Sequence, residues 1–186
     1  MAFETPADYY RFFGLERRLD LDPADLQARY YRLSRLVHPD RYQKGTPNER
    51  RFSLDATAIL NDAYRTLRDP VARAEFFLKG EGLEAPPGKS KHVPPELLEE
   101  VFEVNMALEA LGEGDAAVRP SLETALRKFH SLRDQSDAEL AALFAEYDRS
   151  GGRGTLARIR GALDRRSFIS NLIEEIEQGL MHSCPT

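Results

Sequence analysis

Pro39 separates two amphipathic segments of this chain, and this break constrains the fold more than any other feature. A helix rarely continues through a proline, because the ring lacks an N–H and pushes the preceding residue out of the α region. Apolar residues at helical spacing precede Pro39, and a second such segment begins about ten residues later. The pattern predicts two helices joined by a turn, with His38 and Asp40 presented on that turn.

Helical spacing of apolar residues recurs along nearly the whole chain, whereas the strict alternation typical of strands is absent. We therefore expect an all-α protein. The predicted helices cover approximately residues 8–15, 23–37, 48–68, 70–79, 97–111, 120–147 and 159–180. The segment 120–147 fits one bent helix or two helices, because Ser136 and Glu139 have the spacing of a capping box.

Residues 82–95 separate two helical units, since this stretch holds four prolines and two glycines without a periodic apolar stripe. The first predicted unit covers residues 1–82, and the linker covers residues 83–95. The second predicted unit covers residues 96–186. Its apolar residues follow the alternating four-three spacing of helices packed nearly antiparallel, which predicts a three-helix bundle.

Composition limits the possible classes of protein and compartment. The net charge of −5 argues against a general nucleic-acid-binding protein, although a helical module binding through Arg29, Arg32 and Arg35 remains an alternative. No apolar run approaches the ~20 residues that span a bilayer, and the first residues lack the order of a secretory signal. We expect a cytoplasmic protein. The single cysteine, Cys184, excludes a disulfide framework and a cysteine-based metal site.

Catalytic and metal chemistry find little support in the sequence. Gly88-Lys89-Ser90 imitates the end of a phosphate-binding loop, but Leu83 occupies the position that needs the leading glycine, and no strand precedes it. An acid–base pair of His38 and Asp40 would lack a nucleophile and an oxyanion donor. The histidines show no metal-ligand spacing; they are His38, His92, His130 and His182. We predict no catalytic residue, no metal site, no cofactor and no enzyme activity.

A basic face lies beside the turn at Pro39. Arg29, Arg32 and Arg35 are roughly 130° from the apolar stripe of their helix, and Arg41 extends this charge beyond the proline. A run of arginines is often only a solvated face. With the turn beside it, docking of an acidic partner is the better interpretation, because guanidinium groups bind carboxylates bidentately and complementary charge speeds association.

Several apolar residues of the second unit lie off its core stripes. Leu98, Phe102 and Met106 point roughly 140° away from the inward stripe of the first bundle helix, and Phe168 is rotated similarly on the last helix. These four residues would form an exposed apolar patch of the kind that binds partners. The alternative, equally compatible with the pattern, is that a neighbouring helix or the first unit covers them.

Residues 8–80 resemble a J-domain. The resemblance rests on the sequence DYYRFFGL at residues 8–15, on the basic helix, and on His38-Pro39-Asp40 followed by Arg41 and Tyr42. More specifically, residues 61–78 are similar to the segment that closes the J-domain in the HscB family, the co-chaperones of iron-sulfur cluster assembly. The resemblance continues more loosely through the bundle, and it implies an N-terminal J-domain followed by a C-terminal three-helix bundle.

The resemblance also implies partners for the first unit. In this family, the H-P-D loop and the basic helix engage a DnaK-type chaperone, usually HscA, and stimulate its ATP hydrolysis. Carried over, the loop has the signalling role and the arginines have the docking role. The implied chaperone-binding residues are His38, Pro39, Asp40, Arg29, Arg32, Arg35 and Arg41.

For the second unit, the resemblance implies a site for the cluster scaffold IscU, which the family binds through an apolar patch on the first and last bundle helices. The implied scaffold-binding residues are Leu98, Phe102, Met106 and Phe168. Asn105 departs from the family pattern, because an apolar residue is usual there. A J-domain co-chaperone with a different client is the alternative, and neither nucleic acid nor membrane is an expected partner.

Overall fold

The computed structural model describes residues 8–84 and 93–182, and it folds these residues into helices without any strand. The predicted all-α class is thus confirmed. The α-helices are α1 (Tyr9–Phe13), α2 (Pro23–Val37), α3 (Pro47–Arg68), α4 (Pro70–Gly80), α5 (Leu98–Gly112), α6 (Arg119–Ser150) and α7 (Arg153–His182). Short 3-10 helices cover Pro39–Tyr42, Pro95–Leu97 and Ala116–Val118.

The chain forms two compact units, residues 1–82 and residues 83–186. The first unit contains α1 to α4, and the second contains α5 to α7. Within the described ranges, every helix is too short or too polar to cross a membrane.

Three helices of the first unit begin with a proline directly after a side-chain cap. Asp22 accepts a hydrogen bond from the backbone N–H of Ala24, and Asp69 accepts one from Ala72. At the start of α3, Thr46 and Glu49 form a reciprocal capping box. The caps satisfy N–H groups that have no partner within the helix, and proline suits the first helical position because its N–H would be orphaned there.

The apolar spacing of α3 predicts a core stripe of Phe52, Ala56, Ile59, Ala63 and Leu67. The observed stripe differs at two positions, because Ser53 and Leu60 are buried in place of Phe52 and Ile59. Phe52 was expected inside, but its side chain is 42% exposed, and the neighbouring Ser53 is buried. The hydroxyl of Ser53 donates a 2.6 Å hydrogen bond to the carbonyl of Val37, which turns this side of α3 toward the end of α2. The buried stripe consists of Ser53, Ala56, Leu60, Ala63 and Leu67.

The short helix α1 is attached to α3 and α4 by Tyr9. Its hydroxyl donates a 2.7 Å hydrogen bond to Asp62, and its ring stacks on Phe76 at 4.5 Å between centroids. Gly14 ends α1 with a φ of 66°, in the left-handed region that glycine adopts without a steric cost. The sequence pattern predicts that this helix ends at Gly14 or just after it, and the observed end agrees.

In the second unit, α6 and α7 form a long antiparallel hairpin. Their two-residue connection is Gly151-Gly152, and both residues have positive φ values, 67° and 106°, that side chains disfavour. The helix α5 packs on both members of the hairpin. The cluster that α5 shares with the hairpin consists of Leu97, Val101, Val104, Leu111, Leu122, Phe129, Ile169, Leu172, Ile173 and Ile176. Elsewhere in the hairpin, the buried apolar residues include Leu140, Leu143, Phe144, Leu156, Ile159 and Leu163.

The structure decides between one helix and two around Ser136. α6 runs without interruption from Arg119 to Ser150, and Ser136 is buried with its hydroxyl donating to the carbonyl of Leu132 at 2.9 Å. The capping-box interpretation was wrong at this position. The carboxylate of Glu139, which would have completed the box, instead pairs with Arg165 of α7.

Candidate functional site

The His38-Pro39-Asp40 loop lies at the C-terminal end of α2 and is exposed. The side chains of His38 and Asp40 are 53% and 72% exposed. His38 caps the 3-10 helix that starts at Pro39, because its Nδ1 atom accepts a hydrogen bond from the backbone N–H of Asp40 at 3.2 Å. Gln43 donates a 3.1 Å hydrogen bond to the Asp40 carboxylate. The loop therefore presents its carboxylate in a fixed orientation to solvent.

Side chains from the loop satisfy two of the last carbonyl groups of α2. The guanidinium group of Arg41 donates to the carbonyl of Arg35 at 3.1 Å, and the hydroxyl of Tyr42 donates to that of Leu36 at 3.2 Å. These carbonyls would otherwise lack a partner at the helix end.

The next carbonyl of α2, that of Val37, accepts from two residues of α3. Ser53 donates at 2.6 Å and Thr57 at 3.3 Å. Both ends of the loop are thus tied to helices of the first unit.

The predicted docking arginines occupy two different environments. Arg32 and Arg35 are exposed on α2, and Arg41 is exposed in the loop. Arg29, by contrast, donates through its Nε atom to both carboxylate oxygens of Asp25, at 2.9 and 3.0 Å. The Nη1 atom of the same guanidinium group contacts the C-terminal end of α1.

Arg29 donates to the carbonyl oxygens of Gly14 at 2.6 Å and Phe13 at 3.2 Å. Since these oxygens lie at the C-terminal end of α1, Arg29 serves there as a cap. Arg29 therefore holds α1 against α2, and its role in docking stays a prediction. The sequence pattern missed this role because helical spacing cannot show a contact sixteen residues distant.

Basic residues at the start of α3 enlarge the charged surface beyond the arginines predicted from the sequence. Arg50 and Arg51 are exposed in the first turns of α3, and Arg50 donates a 3.4 Å hydrogen bond to the carbonyl of Gln43 in the loop. The signal was available, because both arginines follow the Thr46 capping box directly. The basic surface of the first unit therefore comprises Arg32, Arg35, Arg41, Lys44, Arg50 and Arg51.

The second candidate site is the apolar surface of α5. Leu98, Phe102 and Met106 are each more than half exposed, and Phe102 is the most exposed at 67%. Their spacing of four residues places them along one side of the helix. Large apolar side chains grouped in this way on a soluble domain are typical of a surface that binds another protein. We call these three residues the α5 patch.

Phe168 does not belong to the exposed surface as predicted. It is only partly exposed and packs against the bundle core. The angular position of Phe168 on α7 did not predict this burial, because the position on one helix does not show how closely the other helices of the bundle approach it. Further along α7, a Cβ atom added at Gly179 would lie 2.6 Å from the side chain of Leu108, so α5 and α7 approach closely at that end.

The described residues offer no cluster of three or more side chains that would hold a metal ion. His130 lies 3.6 Å from Glu177 across the α6–α7 hairpin, and His182 contacts the carbonyl of Gln178 at 2.7 Å. His92 and Cys184 lie outside the described residues, as does the rejected phosphate-loop imitation at residues 88–90.

Comparison with known proteins identifies relatives over the whole chain. Residues 8–76 match the DnaJ domain family. The chain is 32% identical over 184 residues to "Co-chaperone protein HscB homolog" of Azoarcus sp. (strain BH72), a match that covers 97% of each protein. It is 34% identical over 140 residues to "Iron-sulfur cluster co-chaperone protein HscB" of Mus musculus, and here the match spans only 60% of the mouse protein's length.

A solved structure is also similar to this chain over most of its length. The crystal structure of human co-chaperone protein HscB has a TM-score of 0.70 and 27% sequence identity, with 96% of this chain and 84% of that chain covered. The likeness therefore extends through both units.

Proposed function

Because this chain belongs to the HscB family of J-domain co-chaperones, we propose that it stimulates ATP hydrolysis by a DnaK- or HscA-type chaperone and delivers an IscU-type iron-sulfur cluster scaffold to that chaperone. The first unit is the J-domain, which acts on the chaperone. The second unit, the three-helix bundle, binds the scaffold. The cluster is cargo of the scaffold in this scheme, and the chain itself needs no resident cofactor.

The observation that carries the proposal is the exposed His38-Pro39-Asp40 loop, fixed between α2 and α3 and bordered by arginines. A trigger for another protein's nucleotide cycle has to be accessible and pre-ordered, because ordering a loop on binding lowers affinity. The hydrogen bond from Asp40 N–H to His38 supplies that order. Arg32, Arg35 and Arg41 supply a positive surface that attracts an acidic partner and speeds the encounter.

The α5 patch supports the second half of the proposal. Leu98, Phe102 and Met106 expose apolar area that contributes binding free energy only when a partner covers it. Phe168 lies partly beneath the surface, so its role is to support the patch from α7 rather than to contact the scaffold over its full ring.

The mechanism that we infer is coupled delivery. The bundle holds the scaffold while the J-domain triggers hydrolysis, so the chaperone closes on the scaffold that is being presented. All chemistry occurs on the chaperone, and we propose that this chain has no catalytic residue of its own. Cytoplasmic location, and the absence of nucleic acid and membrane partners, remain predictions from the sequence.

Single-turnover ATPase measurements test the trigger. A HscA-type chaperone is loaded with labelled ATP and mixed with the full chain or with the His38→Gln variant. We expect stimulation by the wild type and none by the variant, with scaffold affinity unchanged in a separate titration. His182→Gln, which changes the same residue type at the end of α7, is the matched control. Undiminished stimulation by His38→Gln would refute the assignment of the loop.

A binding comparison tests the client. Titration of the full chain with an IscU-type scaffold should show saturable binding that Phe102→Ala weakens. If the scaffold does not bind while ATPase stimulation is intact, the chain is a J-domain co-chaperone for a different client.

A further inference from the structure

Val37, the residue before the His38-Pro39-Asp40 loop, has a carbonyl group that receives hydrogen bonds from α3. In a helix that continued, this oxygen would accept the N–H of Arg41. That N–H instead binds the carbonyl of His38 at 3.0 Å, because the chain turns at the proline. Ser53 donates to the Val37 oxygen at 2.6 Å, and Thr57 donates to it at 3.3 Å. A carbonyl oxygen has two lone pairs, so these two hydroxyl groups satisfy it.

Hydroxyl groups inside a helix usually bond to their own helix. A serine or threonine commonly donates to the carbonyl four residues earlier. In α6, the hydroxyl groups of Thr124, Ser136 and Ser150 each donate in this way, at 2.8 or 2.9 Å. Ser53 and Thr57 are four residues apart and lie on one face of α3, but both donate across to α2. The pair is therefore directed at one peptide group of another helix.

The buried stripe of α3 does not need a hydroxyl group for its packing. Ser53 is completely buried, in line with Ala56 and Leu60. A buried hydroxyl group costs free energy unless it is hydrogen-bonded, and alanine would fill nearly the same volume without that requirement. The bond to Val37 is the contact that serine makes here and alanine cannot make.

This contact bears directly on the orientation of the loop. The Val37 oxygen and the His38 nitrogen belong to one planar peptide group. Ser53 and Thr57 therefore fix the plane from which His38 starts, and His38 leaves α2 with φ of −57° and ψ of 131°. The side chains of the loop also bond to α2, but they belong to the segment that has to be held. Ser53 and Thr57 are sixteen and twenty residues from Val37, so they connect the loop to the core of the first unit.

We propose that Ser53 and Thr57 are positioning residues, which hold the His38-Pro39-Asp40 loop at a fixed angle to the exposed arginines of α2. This inference rests on the proposed function, because the role that it assigns is in ATPase stimulation. The arginines of α2 dock whether or not the loop is held. A partner that binds the held and the released loop equally well does not shift the equilibrium between them. Loss of both hydroxyl groups should therefore lower the maximal stimulation and leave the half-saturating concentration unchanged.

Single-turnover ATPase measurements with a HscA-type chaperone, over a range of concentrations of the full chain, test the proposal. Ser53→Ala together with Thr57→Val removes both hydroxyl groups and nearly keeps the shape of the side chains. We expect maximal stimulation to fall roughly fivefold or more, with the half-saturating concentration within about twofold of the wild-type value. Ser53→Ala together with Thr57→Ser keeps one hydroxyl group, so it should recover part of the stimulation.

Tyr9→Phe is the matched control for stability. It removes one hydroxyl hydrogen bond from the same unit, the 2.7 Å bond between α1 and Asp62 of α3, which does not involve the loop. Maximal stimulation by Tyr9→Phe should equal that of the wild type. If the double variant does not fold, Ser53→Ala alone is compared with Tyr9→Phe, since each lacks one hydroxyl bond.

Hydrogen exchange of the Asp40 amide reports on the loop without any chaperone. This amide donates to His38, so a released loop should exchange it faster. We expect faster exchange in the double variant than in the wild type, and no change in Tyr9→Phe.

Three results would overturn the proposal. They are full stimulation by the double variant, an equal loss of stimulation in Tyr9→Phe, and a change in the half-saturating concentration alone. A wild-type chain that does not stimulate the chaperone would overturn the proposed function instead. The exchange rates of the Asp40 amide would then decide by themselves whether the two hydroxyl groups hold the loop.

Discussion

The Nδ1 atom of His38 lies 3.2 Å from the backbone nitrogen of Asp40 and accepts its N–H as a hydrogen bond. A neutral imidazole that accepts at Nδ1 carries its proton on Nε2. The ring therefore has two roles. Its Nδ1 atom caps the 3-10 helix Pro39–Tyr42, and its Nε2–H group is a hydrogen-bond donor on an exposed side chain. Asp40 is held from the other side by Gln43. These hydrogen bonds fix the conformation of the proline-containing turn and of the side chains that it exposes.

Two substitutions at His38 separate these roles. Asparagine is a good capping residue and places an acceptor near the position of Nδ1, whereas glutamine extends too far to cap in the same way. We expect His38→Asn to keep the Asp40 amide protected from hydrogen exchange and to retain more ATPase stimulation than His38→Gln. Equal loss of stimulation in both variants, with the Asp40 amide still protected in the asparagine variant, would show that the outward Nε2–H is the essential group.

Charge reversal on α2 should distinguish docking residues from structural ones. Replacement of Arg32 and Arg35 by glutamate removes exposed charge, so the association rate with the chaperone should fall roughly tenfold or more and lose its salt dependence. The stability of the first unit should be nearly unchanged. Stopped-flow association at several salt concentrations measures this effect. Rates that stay at the wild-type value would exclude these arginines from docking.

Arg29→Ala should lower the stability of the first unit and leave chaperone binding nearly unchanged. The substitution removes the hydrogen bonds to Phe13 and Gly14, and we expect it to cost about 1–3 kcal/mol of unfolding free energy. Chaperone affinity, measured well below the unfolding temperature, should change little. Chemical denaturation followed by circular dichroism provides the stability, and a variant as stable as the wild type would contradict the capping role.

The bond between Tyr9 and Asp62 predicts a loss of stability at high pH. Burial, with the Asp62 carboxylate as acceptor and neighbouring charge, raises the pKa of Tyr9 to about 12 from its ordinary 10. A raised folded-state pKa means that the phenol contributes its full stability below pH 10 and loses it as the pH rises to about 12. Tyr9→Phe keeps the stack on Phe76 but loses the hydrogen bond, so it should cost about 1–2 kcal/mol at neutral pH.

The hydrogen bond between Tyr9 and Asp62 also makes stability depend on pH in the acid range, through the Asp62 carboxyl group. Hydrogen bonds from Tyr9 and Arg65 lower the pKa of Asp62, so its contribution is lost as the pH falls through that lowered value. Urea unfolding across the pH range should show the Tyr9→Phe penalty shrinking at both extremes. A penalty that does not vary with pH would show that the hydrogen bond contributes nothing to stability.

The two phenylalanines of the bundle should give different phenotypes. Phe102 is exposed, so Phe102→Ala should weaken scaffold binding by about 2 kcal/mol with little change in unfolding free energy. Phe168 packs against the core, so Phe168→Ala should also destabilise the bundle by about 2 kcal/mol. Isothermal titration and thermal unfolding measure the two quantities. Equal affinity of Phe102→Ala and the wild type would remove the α5 patch from the site.

Periodicity and caps were enough to predict most of the helices, because the helical signal is strong and local. Asp22 and Asp69 precede prolines, so the starts of α2 and α4 are encoded within a few residues. Ser136 shows the limit of this approach. A capping box and a mid-helix serine share the same short pattern, and only the pairing of Glu139 with α7 decides between them.

Residues whose roles depend on contacts between distant segments could not be assigned from spacing. Arg29 has the same position on α2 as a solvated arginine would have, and only the location of the end of α1 makes it a cap. Phe168 is on the outside of its own helix but not on the outside of the bundle. Ser53 is buried in place of Phe52, and its hydroxyl donates to the carbonyl of Val37, sixteen residues earlier in the chain.

Coupled delivery requires that one molecule both trigger the chaperone and hold the scaffold, and a complementation measurement tests this requirement directly. Asp40→Asn disables the trigger, Phe102→Ala disables scaffold binding, and scaffold-dependent ATP turnover is measured with each variant and with an equimolar mixture. We predict that the mixture remains as inactive as the separate variants, because neither molecule can do both. Recovery of turnover in the mixture to the level of the wild type would contradict delivery by a single chain.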